Sequence, residues 1–417
     1  MTDQETIASR LAEIVGATHV SSAPTDVDAY GGLDPSLVVW PGAASEVARV
    51  LRSCTEMGVA VGVSAGGTRA TRHWPVHGDR PRIALDTRRM LNILEVDELS
   101  LTVHSQCGIE LGHLEQALNR HGLTLGPYPP LIQRHTLGGV LAAPHPRAHS
   151  PRTGWLIDAC LGVSVANAAG TVLHTRIAPR KATGPDTARL YIGSRGALGV
   201  VTTAVLRVYR QSEHEVVLAF VLPDLMHAVD AAHDLLERGV RPARLRALGA
   251  EQAVEELGQT HPPSPAVLLV VLAGPAALVA AEQRLLEQVL YECGGRELSH
   301  AVGGRWWARN AALTSPPELG PSVVGVRVRH SAAPLAVASV PQQVQQKQVL
   351  VWAEEFTLQG FTLWSSLGGE RREATVVALR SALLDCGLDP IQLDFPPLMD
   401  ELRQQLDPAQ TLVVMEA

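Results

Sequence analysis

The chain has 417 residues, 46% of them hydrophobic and 18% charged, with a formal net charge of −7. That length exceeds one ordinary core and calls for two or three domains, in a folded globular composition whose acidic balance argues against nucleic acid or an anionic membrane as the main partner. The start lacks the apolar core of a signal peptide, no run approaches a membrane span, and the five cysteines are scattered without a C-x-x-C pair, so the expectation is a cytoplasmic protein with no metal centre.

Residues 5–16 place Ile7, Leu11 and Ile14 on one helical face. A short apolar strand, "LVVWP" (37–41), precedes a helix over 44–58. Ser45 is its expected N-cap, Val47, Val50, Leu51 and Cys54 share a face, and Gly58 ends it. Residues 59–64 form a strand that runs into "AGGTR". Strand patterns follow at 82–87, 91–97 and 99–106. A helix over 109–122 turns Leu111, Leu114 and Leu118 inward, with Gly122 as its expected C-cap. After "GPYPP", the stretch "TLGGVLAA" (136–143) leads to two strands within 155–175, around the turn Asn167–Gly170. Residues 185–210 give a helix, a glycine-rich turn and a strand. From about 211 the order becomes strand 216–221, helix 226–238, strand 266–274 and helix 276–293. A similar set recurs over 323–387, with "PQQVQQKQ" (341–348) opening a solvated helix. The tail reads as a helix and a short strand.

The loop Ala65–Arg69 follows a buried strand and offers successive backbone N–H groups with few side chains in the way. Such a nest suits a pyrophosphate, although two glycines and a threonine also make a plain turn. There is no G-x-G-x-x-G opening a helix, no G-K-[ST] and no G-x-S-x-G elbow. Other candidates are Arg305 and Arg309 in "GGRWWARN", as clamps for a carboxylate or phosphate, and His330 in "RVRHS", as a base. Each has a plainer reading, as a surface helix with buried tryptophan and as a structural histidine.

Taken together and in order, the pieces resemble the PCMH-type flavin-binding domain of the vanillyl-alcohol oxidase superfamily. "VVWPGAASEVARVLRSCTEMGVAVGVSAGGT", "LDTRRMLNILEVDELSLTVHSQCGIELGHLEQALNRHGLTLG", "TLGGVLA" and "ATGPDTARLYIGSRGALGVVTTAVLRV" carry the likeness over about 35–210. The pattern is nearest to the glycolate oxidase, D-lactate dehydrogenase and alkyl-dihydroxyacetonephosphate synthase branch. The resemblance implies an α+β fold: a two-subdomain FAD-binding domain followed by an α+β cap with an antiparallel sheet and helices on one side. The expected layout is an N-terminal helical segment 1–34, an FAD-binding domain 35–210 with a break near 90, a cap 211–385, and a segment 386–417 returning to the first domain.

The resemblance also implies FAD. Ala65, Gly66, Gly67, Thr68 and Arg69 match the pyrophosphate loop. Thr136, Leu137, Gly138 and Gly139 match the loop beside the pyrophosphate and isoalloxazine. Gly193, Gly196, Gly199 and the backbone of Val201 match the stretch that lines the cofactor near its adenosine part. The flavin is expected to be non-covalent, because Thr68 stands where histidyl-flavin members carry histidine. His135 and His145 lie near the expected flavin. Departures are Ala65 in place of a third glycine, Pro144 in a segment usually rich in small residues, and Arg195 in an acidic position. The late histidine motif of hydroxy-acid enzymes is missing, since no histidine follows His330. The leading expectation is a glycolate-oxidase-like oxidoreductase acting on a small 2-hydroxy acid. The alternatives are a non-catalytic FAD-binding subunit, with a partner chain or as a homodimer, and a homologue without flavin that acts as a binding protein.

Overall fold

The computed structural model describes residues 4–30, 33–64, 80–128, 130–143, 148–178, 184–257, 265–312, 323–334, 336–337, 349–367 and 397–413. The expected loop Ala65–Arg69, with Pro144, His145 and the 341–348 segment, lies outside them.

The first sheet holds β1 (Val20–Ser21), β2 (Leu37–Val39), β3 (Ala60–Ser64) and β4 (Arg82–Asp86). β4 pairs in parallel with both β2 and β3. Most residues of β2, β3 and β4 are buried, as expected for parallel strands covered on both faces. Helices α1 (Gln4–Val15), α2 (Pro24–Val27) and α3 (Ala44–Met57) accompany them. Ile7 and Leu11 of α1 pack with Val47 and Leu51 of α3 over Val39, Val61 and Ile83. The N-cap of α3 is Ala43, not Ser45, because helical backbone already begins at Ala44, ahead of the serine. Ala43 has no side-chain oxygen to offer. The Glu46 carboxylate instead accepts the Gly42 N–H at 2.8 Å. Gly58 ends the helix in the left-handed conformation, φ 68°.

The second sheet is antiparallel. It holds β5 (Ile93–Asp97), β6 (Thr102–Gln106), β10 (Cys160–Ala166), β11 (Val172–His174) and β12 (Val200–Arg207). Between β6 and β10 the chain forms α4 (Leu111–Asn119), β7 (Leu123–Thr124), α5 (Leu137–Ala142) and a small hairpin of β8 (His149–Ser150) and β9 (Gly154–Trp155). The α4 C-cap is Arg120; Gly122 takes φ 65° two residues further on, in the turn rather than the cap. Helix α6 (Ala188–Tyr191) precedes β12, and β13 (Tyr209–Arg210) pairs with β7.

The third unit is a seven-stranded sheet of order β17-β14-β16-β15-β19-β20-β18. In chain order its elements are β14 (His214–Leu222), α7 (Leu225–Glu237), β15 (Arg244–Gly249), α8 (Ala250–Leu257), β16 (Ala266–Gly274), α9 (Ala276–Glu292), β17 (Arg296–Glu297), α10 (His300–Ala312), β18 (Val323–Arg329), β19 (Val349–Thr357) and β20 (Gly360–Leu367). All its pairings are antiparallel. Helices cover both faces, not one. Leu218, Leu268 and Val270 face α7 and α9, whereas Leu269, Val271 and Leu248 face Ala253 of α8 and Trp306 of α10. The physical reason is that β16 is apolar at every position, so both of its faces need cover.

Helix α11 (Pro397–Leu406) then packs Leu402 and Leu406 against the second-sheet core. β21 (Leu412–Val413) joins the edge of the first sheet beside β3. Asp407 fixes this turn by accepting the N–H groups of Thr411 and Leu412 at 2.9 and 2.7 Å.

Candidate functional site

Three segments meet where the first two sheets face each other. Val63 stands at the end of β3. Thr136 caps α5, its hydroxyl accepting the Gly139 N–H at 3.2 Å. The 193–199 turn is tied to α5, with Gly193 N–H donating to Leu141 O at 2.9 Å and Arg195 N–H to Ala142 O at 2.8 Å. Gly193 and Gly196 both take φ 81°, and Arg195 takes φ 52°, so this turn is largely left-handed. Among the described residues, a Cβ on Gly193 would meet nothing within 4 Å, and one on Gly196 only Val63, at 3.8 Å. No described side chain covers the main chain at these two glycines. Gly138 and Gly199 do something else. A Cβ on Gly199 would strike Val165 at 2.5 Å, and one on Gly138 would lie 3.0 Å from Cys107 O. Both are closely packed against neighbouring chain. Leu137 and Val201 bury their side chains in the second-sheet core, which leaves only their backbone for a ligand.

The cap contributes a row of polar side chains across four adjacent strands. Arg246 on β15 is buried and pairs with Glu354 on β19 at 2.7 Å. Glu354 stands opposite Thr362 on β20, and Thr362 opposite Arg327 on β18. Arg327 donates to the Thr362 hydroxyl at 3.3 Å. Arg246 also pairs with Glu256 of α8, whose other oxygen accepts the Trp306 indole N–H at 3.0 Å. Arg244, buried two residues before Arg246, lies on the same face of β15. The row thus brings the guanidinium groups of Arg244, Arg246 and Arg327 onto one face with the Glu354 carboxylate, and Glu256 reaches it from α8.

His149 of the β8–β9 hairpin faces this row from the other half of the molecule. Its ring lies 4.8 Å from that of Trp155. Burial, followed by the Arg244 and Arg327 charges, pushes its pKa down to about 3; Glu354 opposes the shift weakly. The imidazole is therefore neutral at pH 7.

The expected catalytic candidates fall elsewhere. His330 Nε2 donates to Thr357 O at 3.0 Å, and its ring lies 3.8 Å from the His233 ring of α7. That is the side of the sheet away from the arginine row, because its other ring neighbour, Phe361, belongs to the α7 core. His135 is buried just before Thr136, with its carbonyl accepting the Leu111 N–H at 2.9 Å. Arg305 is exposed on α10 beside buried Trp306, and the Arg309 side chain lies outside the described residues.

Comparison with known proteins decides the class. Residues 35–176 match the FAD binding domain family, and residues 211–328 match the C-terminal domain of FAD linked oxidases. The chain carries both of these domains, in that order. It is 30% identical over 219 residues to alkyldihydroxyacetonephosphate synthase of Dictyostelium discoideum, covering 52% of this chain and 36% of that protein. It is 27% identical over 258 residues to the mitochondrial D-lactate dehydrogenase [cytochrome] of Kluyveromyces lactis, covering 57% and 44%. The chain thus spans less than half the length of these two relatives. A solved alkyldihydroxyacetonephosphate synthase superposes with a TM-score of 0.80 at 18% identity, over 98% of this chain and 84% of that one. A solved p-cresol methylhydroxylase superposes with a TM-score of 0.76 at 14% identity, over 97% of this chain and 95% of that one, so the fold is PCMH-type, and the matched domain is one that binds FAD.

The residues present fit that cofactor. The left-handed main chain at Gly193 and Gly196, beside α5 and the end of β3, is not covered by any described side chain, which suits the close approach of a dinucleotide. The glycines of the α5 and 193–199 segments stand out in the sequence, and the structure sets these two segments side by side. Arg244, Arg246, Glu354 and His149 do not stand out in the sequence as neighbours of one another. The available signal was charge at alternating positions of apolar strands, "ARLRALG" and "VWAEEF", where a buried sheet face should carry only apolar residues.

Proposed function

We propose that this FAD-linked oxidoreductase oxidises a small 2-hydroxy acid, with FAD bound non-covalently. The observation that carries the reading is the neutral, buried His149 facing the arginine-bearing row of the cap at its junction with the FAD-binding half. Arg244 and Arg327 would take the substrate carboxylate, as planar guanidinium groups do. FAD, when bound, supplies the two-electron acceptor for the C2 hydrogen. His149 would take the hydroxyl proton. A carboxylate between Arg244 and Arg327 offsets the charges that depress its pKa and so strengthens it as a base when substrate is present. Pyrophosphate would lie on the Ala65–Arg69 loop, with Thr136, Leu137, Gly138 and Gly139 towards the isoalloxazine and Gly193 and Gly196 towards the adenosine part. The free cysteines Cys54, Cys107, Cys160 and Cys293 suit a reducing, cytoplasmic setting.

A second reading, an FAD-binding subunit without chemistry of its own, is favoured by the lack of any histidine after His330. It would work with a partner chain or a second copy. Anaerobic addition of D- and L-lactate, glycolate and longer 2-hydroxy acids separates the two. The first reading expects the flavin absorbance near 450 nm to bleach with at least one acid, and expects H149Q to slow that bleaching about 10²–10⁴-fold. Persistent colour with every acid supports the subunit.

A further inference from the structure

The β8–β9 hairpin leaves the FAD-binding half and docks on the end of the cap sheet. Ser150 Oγ donates to Ala243 O at 2.8 Å. Arg152 Nε donates to Arg241 O at 3.0 Å, and Arg152 Nη2 to Glu282 Oε2 of α9 at 3.0 Å. The second oxygen of Glu282 accepts the Arg241 N–H at 3.2 Å, so one carboxylate joins the hairpin to the segment entering β15. Within the hairpin, Arg152 N–H donates to Ser150 Oγ at 3.2 Å. Gly274 clears the space: a Cβ there would lie 2.8 Å from Arg152 Nη1. Glu282 is only 10% exposed at its side chain and Arg152 22%, so this pair is sheltered from the solvent that weakens surface ion pairs.

Both ends of this connection lead to the site. His149 immediately precedes Ser150, and Ala243 immediately precedes Arg244. A cleft of about 210 Å³ lies against the hairpin, lined by His149, Pro151, Leu236, Arg241 and Phe356 among others. That volume is open space into which an untied hairpin can swing and from which water can reach the imidazole.

We propose that Arg152 is a positioning residue, which holds the His149 imidazole against the cap's arginine row by tying the hairpin to Arg241 and Glu282. The tie itself stands on the contacts above, and its consequence for turnover rests on the proposed role of His149. The groups facing the imidazole are Trp155 on its own hairpin, Arg244 from β15, Arg327 from β18 and Glu354 from β19. Freed from the two arginines and hydrated, the imidazole returns towards its ordinary pKa of 6.5.

The test is a histidine-selective NMR titration of the full FAD-loaded chain, with the His149 signal assigned by its loss in H149Q. The wild type should keep His149 neutral from pH 8 down to pH 5. R152A should move its midpoint up by on the order of two pH units or more, with R152K and E282Q between the two because each removes part of the connection. A His149 that stays neutral throughout in R152A, with an unchanged circular dichroism spectrum, overturns the proposal. If R152A does not fold, R152K and E282Q are read alone, and an unshifted His149 in both overturns it. Flavin reduction separates this from the functional reading. Normal reduction by hydroxy acids in H149Q ends the role given to that histidine, while a shifted titration in R152A still sustains the positioning role.

Discussion

His149 has a folded-state pKa of about 3 against an unfolded value of 6.5, so the native state strongly prefers the neutral ring. Above pH 6.5 both states are neutral and the stability is fully present. As pH falls from 6.5 towards 3, the unfolded chain takes up a proton that the native site refuses, and stability is lost. Each pH step below 6.5 costs about 1.4 kcal/mol, so the loss at pH 5 is about 2 kcal/mol relative to pH 8. Urea unfolding of wild type and H149Q at pH 8 and pH 5 measures it; the variant should show a correspondingly smaller difference. Arg246 makes an opposite case, a buried cation between Glu256 and Glu354. R246A should cost about 3–5 kcal/mol, because it leaves two sheltered carboxylates without their shared partner. Its melting temperature would show this. Neither residue was visible as a site from sequence, because an arginine or histidine in a strand declares its partners only once the strands pair.

At the scale of elements, α3 starts at Ala44 with an N-cap that has no side-chain oxygen. A43S should add about 0.5–1 kcal/mol to urea stability, since Ala43 already has the extended backbone of a capping residue and is not buried. An unchanged or lower stability would show that a hydroxyl at position 43 captures neither the Ser45 nor the Glu46 N–H. The helix itself was legible, with Val47, Val50, Leu51 and Cys54 at helical spacing and Gly58 at its end. Its first residue was not, because Ser45 and Ala43 differ in capping chemistry but not in helical pattern. The cap sheet is the larger lesson. Its strands and helices α7 and α9 follow from apolar runs and periodicity. That α8 and α10 lie on the opposite face depends on how β16 pairs between β14 and β15, and no local pattern encodes that choice.

For the whole molecule, FAD and fold are linked by mass action. FAD at a hundred times its dissociation constant should add about 2.7 kcal/mol of stability, seen as a rise in melting temperature. G196V should abolish that rise, because it puts a β-branched side chain at φ 81° on the open backbone facing Val63. A full FAD-dependent shift in G196V would show that the cofactor does not use this turn. The sequence by itself determined the class: ordered glycine loops, a two-part FAD-binding half and a cap of alternating strands and helices. It did so because glycine positions and periodicity are local properties. The tertiary structure alone decided which polar side chains stand together. Arg244 and Arg246 lie far along the chain from Arg327 and Glu354 and share a face with them only through strand pairing, and His149 meets them only because a hairpin from the other half docks there.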